Sequence, residues 1–198
     1  NGGETLELRG PGGELVDSAN ADGGAWPAGN ASTHASMERV GGADGPGAWR
    51  TFSGCWSTGA DADGHPVNGT PRQPNSLACL ADTPTPTPTP TLTGTPPLGP
   101  TPTLTPSPSL APTAAEPLAV LINEVAWAGT KADASDEWIE LFNPWPSAID
   151  LGGWRLTDEG DVHVALSGLL PSYGFLLLER TSDDTIADRS ADLIYTGG

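Results

Sequence analysis

Hydrophobic and polar residues alternate over short stretches in the C-terminal part of the chain, which is the period-two pattern of β-strands. Turn-forming residues separate these stretches at a spacing of roughly 8–12 residues, and no stretch shows a helical period of 3.6. The candidate strands lie at 118–127, 137–143, 149–156, 162–166, 174–179 and 191–195. This pattern predicts an all-β sandwich or barrel, with a bulge or bend at Gly152-Gly153 inside the third strand.

The N-terminal part carries a similar but weaker pattern. Residues 4–9 and 14–18 flank a turn-forming Gly-Pro-Gly-Gly run, which predicts a β-hairpin. Residues 35–40 and 49–52 are further short strand candidates, and 57–78 is loop-like in composition. The N-terminal part is therefore expected to be β-structure as well.

A segment of different composition separates these two parts. Residues 81–116 contain 11 of the 21 prolines, 11 threonines and no aromatic residue. Alternating Thr-Pro cannot form a helix or a central strand, because every second residue lacks an N–H, so a disordered, polyproline-like linker is expected. The chain then divides into residues 1–80, a Thr/Pro-rich linker at 81–116, and residues 117–198.

The charge excludes some functions. The chain has 8 basic and 25 acidic side chains among 198 residues, a formal net charge of -17. So few basic side chains argue against a positively charged surface that follows a phosphate backbone, and hence against direct nucleic-acid binding. No apolar run approaches the ~18–20 residues needed to span a bilayer, and no signal-peptide pattern is visible.

Acidic clusters make calcium the main metal to consider. Asp61 and Asp63 begin a sequence like that of a calcium loop, and Asp133, Asp136 and Glu137 precede a predicted strand. No complete calcium-loop pattern follows either cluster, so these are weak candidates and no other cofactor is expected.

No catalytic constellation is evident, and the chain is expected not to be an enzyme. Glu124, Glu137 and Glu140 lie on adjacent predicted strands and could form a carboxylate pair, but a structural role is favoured. The sequence contains neither a zinc-protease HExxH motif nor a GxSxG nucleophile elbow.

Cysteine and tryptophan give two further sets of candidates. Cys55 and Cys79, 24 positions apart, are either a disulfide pair or two separate thiols. Tryptophans inside predicted strands are expected to pack in the core. Those in loops could stack on carbohydrate or fill a partner's pocket; they are Trp26, Trp56 and Trp145.

Four motifs in the C-terminal part carry a family resemblance: INEVAW at 122–127, DEWIELFNP at 136–144, IDLGGWRL at 149–156 and LPSYGFLLLER at 170–180. In order and spacing they resemble the lamin tail domain, an immunoglobulin-like β-sandwich also found in secreted bacterial proteins. Residues 1–76 resemble the other end of that domain more diffusely, through NGGETLEL at 1–8, SMER at 36–39 and GTP at 69–71.

The order of the two parts is reversed relative to that family. Either the sequence is a window of a tandem array, or the two parts close on each other as a circularly permuted sandwich. Neither part has enough strands to bury its own faces well, so we expect the two parts to pair with each other.

The resemblance implies a non-catalytic extracellular or cell-surface interaction or display module on a Thr/Pro stalk. The alternative is an accessory domain fragment of a secreted hydrolase or nuclease whose catalytic domain lies outside this chain. The expected partner is a protein or carbohydrate ligand, and the half-domains are expected to pair within the chain or with neighbouring copies.

Overall fold

The structure, a computed structural model, describes residues 3–45, 47–54, 59–76, 115–158, 160 and 162–197. These residues form twelve β-strands and no α-helix, which confirms the all-β fold class. None of the described residues belongs to a helix that could cross a membrane. The strands are β1 (Leu6–Arg9), β2 (Leu15–Ala19), β3 (Met37–Arg39), β4 (Trp49–Thr51), β5 (Leu121–Ala126), β6 (Trp138–Phe142), β7 (Ile149–Asp150), β8 (Arg155–Thr157), β9 (His163–Ala165), β10 (Leu169–Leu170), β11 (Phe175–Arg180) and β12 (Leu193–Tyr195).

Two larger sheets pack in a sandwich-like arrangement. The first has six strands in the order β12-β11-β6-β5-β3-β4, and the second has four in the order β2-β1-β8-β9. Strands β7 and β10 form a separate pair. All neighbouring strands are antiparallel except β11 and β12.

The main hydrophobic core is built from alternate residues of the strands in both sheets. In β6, Ile139 and Leu141 belong to this core, while the residues between and beside them point to the opposite face. Leu8, Met37 and Leu156 are fully buried in the same core. Burial of such a side chain contributes about 1.5–3 kcal/mol, which makes this core the main source of stability.

Strands from the N-terminal and C-terminal parts pair with each other, as predicted. Strand β3 pairs with β5, with Met37 opposite Val125 and Glu38 opposite Glu124. Strand β1 pairs with β8, with Leu8 opposite Leu156. Each of the two larger sheets therefore contains strands from both parts.

The outer face of the six-stranded sheet, the face turned away from the main core, is partly covered by loops. A second hydrophobic cluster lies there and joins the sheet to the 59–76 and 181–192 loops. Its members are Val67, Ala126, Trp138, Leu177 and Ile186. Because these loops cover it, much of the sheet is buried on both faces.

The predicted hairpin at the N-terminus is confirmed as β1–β2, and the candidate at 118–127 contains the shorter strand β5, which is buried on both faces. The prediction of one bulged strand at 149–156 is wrong. Gly152 and Gly153 form a turn between β7 and β8, closed by the Trp154 N–H donating to the Leu151 carbonyl at 3.0 Å. Gly153 has a φ of +83°, which favours glycine and lets the chain pass from one sheet to another.

Candidate functional site

A row of apolar side chains crosses one end of the outer face. Phe142, the last residue of β6, lies opposite both Leu121, the first residue of β5, and Phe175, the first residue of β11. The rings of Phe142 and Phe175 stack with their centroids 4.8 Å apart. All three side chains are only partly buried, so this end of the sheet is less covered than the rest of the outer face.

This row forms the floor of an open groove with a volume of about 410 Å³. The groove is lined by residues of both parts of the chain: Arg39, Val40, Gly41, Pro74, Asn75, Leu121, Asn123, Phe142, Tyr173 and Phe175. Its character is therefore mainly apolar and aromatic. A concave surface of this size and composition is typical of a ligand-binding site.

Two loops at the rim of the groove are held together by hydrogen bonds. Buried Asn143 accepts a bond from the Trp145 N–H at 3.0 Å and donates to the Pro171 carbonyl at 2.8 Å. The Tyr173 N–H donates to the Trp145 carbonyl at 3.2 Å. Trp145 is 51% exposed and Tyr173 is 60% exposed. Two large aromatic side chains are therefore accessible to solvent on loops that are hydrogen-bonded to each other.

The amide side chains of the groove are occupied by internal hydrogen bonds. Asn75 donates to the carbonyls of Arg39 and Asn123, at 2.8 and 3.2 Å. Asn123 donates to the Asn75 side chain at 3.0 Å and to the Glu140 carboxyl group at 2.8 Å. These amide donors are committed to the protein, which leaves apolar contact as the main means of binding in the groove.

Three buried glutamates lie in one line next to the groove, on β3, β5 and β6. Glu38 is opposite Glu124, and Glu124 is opposite Glu140, all three with no exposed surface. A bulge at Asn123 places that extra residue against Glu140. Three adjacent carboxyl groups without solvent contact require hydrogen-bond donors from the protein.

The loop at 69–76 supplies most of these donors. Glu124 accepts bonds from the Thr70 N–H at 2.9 Å and the Ser36 hydroxyl at 2.5 Å. Glu140 accepts the Arg72 N–H at 2.5 Å. Glu38 accepts the Ser76 N–H at 2.8 Å and faces the Arg50 guanidinium group at 3.3 Å. The glutamates therefore fasten this loop onto the sheet.

Burial favours the neutral form of two of these groups. Loss of solvent raises the pKa of Glu124 to about 8, although its hydrogen bond from Ser36 opposes this rise. Burial is also the main cause that raises the pKa of Glu140 well above its ordinary value, and the negative charge of the neighbouring Glu124 is the second cause. The burial and hydrogen bonds of Glu124 and Glu140 agree with the structural role that the sequence favoured for them.

Three of the calcium candidates lie in neighbouring loops and accept hydrogen bonds from within the protein. Asp61 is buried and accepts the His65 N–H at 2.8 Å and the Ala132 N–H at 2.9 Å, so it joins the 61–65 turn to the 130–136 loop. Asp133 and Asp136 lie in that loop, where they accept bonds from Ser135 and Thr130 at 2.7 and 3.2 Å.

The two remaining calcium candidates have different surroundings. Asp63 is exposed, and Glu137 pairs with Arg180 at 3.2 Å. Within the described ranges, no group of three or more His, Cys, Asp or Glu side chains has the arrangement to hold a metal ion. Asp61, Asp133 and Asp136 thus serve turn and loop hydrogen bonds in this structure.

The tryptophan candidates differ in their surroundings. Trp145 is exposed, and its carbonyl accepts the N–H of the groove residue Tyr173. Trp26 is partly buried, packs against the main core and stacks on Trp127 with ring centroids 6.4 Å apart, so it is a packing residue. Trp56, and the cysteines Cys55 and Cys79, lie outside the described residues.

Phe142, Phe175 and Tyr173 were not among the residues that the sequence predicted as functional. The signal for Phe142 was present in the alternation of EWIELFN, which puts Trp138, Glu140 and Phe142 on one face of β6. That pattern could not show that loops cover Trp138 and Glu140 but leave Phe142 open.

Compared with family models, with curated proteins and with solved structures, the chain matches none of them.

Proposed function

We propose that this chain is a non-catalytic interaction module that binds an uncharged, apolar peptide segment of a partner protein in the groove of Phe142, Phe175 and Tyr173. The observation that carries the proposal is the open end of the outer face. Loops cover the rest of that face with hydrophobic and hydrogen-bonded contacts, while the stacked rings at this end stay accessible. Aromatic residues on a supported rim are the residue type that most often dominates binding energy at protein interfaces.

The internal hydrogen bonds of the Asn75 and Asn123 side chains favour a peptide over a carbohydrate as the ligand. Sugar recognition needs hydrogen-bond donors and acceptors for the hydroxyl groups, whereas the donors of Asn75 and Asn123 are bonded within the protein. Aromatic-lined grooves with little polar character suit proline and aliphatic side chains, as in polyproline recognition. The formal net charge of -17 disfavours anionic ligands.

We place the module outside the cell or on its surface, as an immunoglobulin-like sandwich of the lamin tail type. The support is the four C-terminal motifs and the Thr/Pro composition of residues 81–116. Protease treatment of intact cells tests this location. Loss of the chain under conditions that spare a cytoplasmic marker is expected, and equal protection of both proteins contradicts it.

The binding test is selection from a random peptide library displayed on phage, with the full chain immobilised. Enriched peptides are expected to be uncharged and rich in proline or aliphatic residues. Their affinity should fall about tenfold or more in Phe175→Ala and in Tyr173→Asn. Asparagine suits the left-handed backbone of Tyr173, which has a φ of +52°.

Leu169→Ser is the matched control, because Leu169 is 71% exposed and lies outside the groove lining. Peptide binding that is equally lost in this control, or that survives both groove substitutions, contradicts the assignment. A parallel array of neutral oligosaccharides separates the other ligand class. Oligosaccharide binding lost in the groove variants, without any enriched peptide, would replace the peptide with a carbohydrate, and no binding in either format overturns the proposal.

A further inference from the structure

The contact between the two parts of the chain has the features of a recognition interface. We call it the seam: it joins residues 3–76 to residues 115–197 through the pairs β3–β5 and β1–β8. Leu8, Met37 and Leu156 bury their side chains beside it, all without exposed surface. Main-chain pairing with a buried apolar face is the way in which a strand is added to an incomplete sheet.

Buried polar groups across the seam fix its register. The Arg39 guanidinium group donates to the Ile122 carbonyl at 2.8 Å, and the Asp17 carboxylate accepts the Ile122 N–H at 2.7 Å. Arg39 and Asp17 also pair with each other at 2.6 Å. A strand shifted by one residue would leave these buried groups without partners, so the two parts specify each other closely.

The glutamates of β5 and β6 add a second polar contact. Glu124 and Glu140 belong to the C-terminal part, but they accept N–H bonds from Thr70 and Arg72 of the N-terminal part. Without residues 3–76 these carboxyl groups lose those donors and their cover. The C-terminal part therefore carries a site that only the N-terminal sequence of this protein completes.

The groove is divided in the same way. Val40, Pro74 and Asn75 come from the N-terminal part, whereas Phe142 and Phe175 come from the C-terminal part. Neither part forms the groove alone. Any molecule that completes the seam also completes the groove.

We propose that a second copy of this chain can complete the seam: residues 3–76 of one molecule pair with residues 115–197 of another. The exchanged form makes the same contacts as the closed chain, so the two forms differ mainly in the entropy of the connection between the parts. Closure within one chain is favoured by an effective concentration that depends on the length and stiffness of the connection and is taken as on the order of millimolar. Closure within one chain dominates in dilute solution, and exchange takes over where copies are held at comparable local concentrations.

The test is complementation between two full-length variants, each damaged in one part. Leu8→Asp puts a charge into the core on the N-terminal side, and Leu141→Asp does so on the C-terminal side; both leucines are fully buried. Each variant alone is expected to lack cooperative unfolding. If either still unfolds cooperatively, a second core substitution is added in the same part, such as Met37→Asp beside Leu8→Asp.

Equimolar refolding of the two variants, with one isotope-labelled, should produce a heterodimer by native mass spectrometry. Its cooperative unfolding signal should reach about half that of the wild type, because one of the two sandwiches per dimer is intact. In the control mixture, one variant carries Leu8→Asp and the other carries Met37→Asp. Both substitutions damage the N-terminal part, so no intact sandwich can form and no such signal is expected. Wild-type protein refolded at about 1 mM should contain dimer, whereas refolding at about 1 µM, far below the effective concentration of closure, should give monomer.

The result that overturns the proposal is a mixture that yields no heterodimer and no cooperative transition at concentrations up to about 1 mM. A wild type that stays monomeric at both refolding concentrations would likewise count against exchange. The seam would then close only within one chain. Because no ligand is involved, this test is independent of what occupies the groove.

Discussion

Replacing Glu124 with glutamine is expected to remove much of the pH dependence of this protein's stability. Glutamine has nearly the shape of glutamate, and its amide can fit the same network. Its oxygen can accept the Thr70 N–H, and its amide group can donate to the Thr70 hydroxyl, which lies 2.8 Å from the carboxyl group it replaces. That hydroxyl can then direct its own proton to Glu38, at 3.1 Å.

The magnitude follows from linkage between protonation and folding. Burial raises the pKa of Glu124 from the ordinary value of 4.5 to about 8, so the folded protein retains a proton that the unfolded chain loses between these values. The contribution of Glu124 to the free energy of unfolding is therefore fully present below pH 4.5, falls as the pH rises, and levels off near pH 8. The slope for one such group is at most ~1.4 kcal/mol per pH unit, which gives a total loss of about 3–5 kcal/mol.

The assay is urea unfolding, followed by tryptophan fluorescence at several values between pH 5 and 8.5. The wild type should lose at least about 3–5 kcal/mol of unfolding free energy over this range, and Glu124→Gln should lose about 3–5 kcal/mol less than the wild type. The slope that remains in the variant reports on the other carboxyl groups whose pKa is raised by burial, which are Asp17, Asp136, Glu140 and Glu179. Glu116→Gln removes a negative charge at an exposed position and should leave the wild-type slope unchanged.

A wild-type stability that is constant or increases between pH 5 and 8 would refute this reasoning. So would a Glu124→Gln curve parallel to that of the wild type. Carbon-13 NMR of the glutamate side chains provides a direct check, because one carboxyl resonance should titrate near pH 8 in the folded wild type and be missing in the variant. If every glutamate resonance has titrated by pH 6, Glu124 is ionised in the folded protein and the argument from burial fails.

Two further predictions concern contacts that position the same loops and strands. Arg39→Met leaves Asp17 buried without its cation, so the unfolding free energy should fall by about 3–5 kcal/mol in urea titrations. Addition of Asp17→Asn should recover part of that loss, and a fall below about 1 kcal/mol in the single variant would contradict the prediction. Gly69→Ala places a Cβ 2.6 Å from the Trp138 ring and should lower thermal and urea stability by about 1–3 kcal/mol. Gly47→Ala, with no atom within 4 Å of the added Cβ, should be neutral, and equal effects of the two glycine substitutions would argue against tight packing of the loop.

Alternation of residue types predicted the strands well where both neighbours of a strand lie in the same sheet. Residues 137–143 and 174–179 correspond closely to β6 and β11, because their inward residues, such as Leu141 and Leu176, all face one core. The prediction failed at 149–156, where the chain changes sheets at Gly152-Gly153. The two-residue strand β10 was missed, since a segment of that length is too short to show a period.

The candidate site was only partly predictable. The sequence identified Trp145 as an exposed aromatic residue and assigned Glu124 and Glu140 a structural role. It could not assign Glu38 to the same cluster, since nothing in the residues around Glu38 distinguishes it from an exposed glutamate in a strand. Its burial depends on Ser76 and on the pairing of β3 with β5, and the latter joins positions 38 and 124.

Local residue patterns predict that this protein is built from β-strands, that a Thr/Pro-rich segment divides its sequence, and that the parts on either side pair with each other. Alternation fixes which residues of a strand share a face, because successive side chains point in opposite directions. Which of those faces a loop covers depends on how the strands and loops come together in space. The register between distant strands and the path of the 69–76 loop together bury Glu140 and leave Phe142 open, and both arise from long-range contacts that no local pattern encodes.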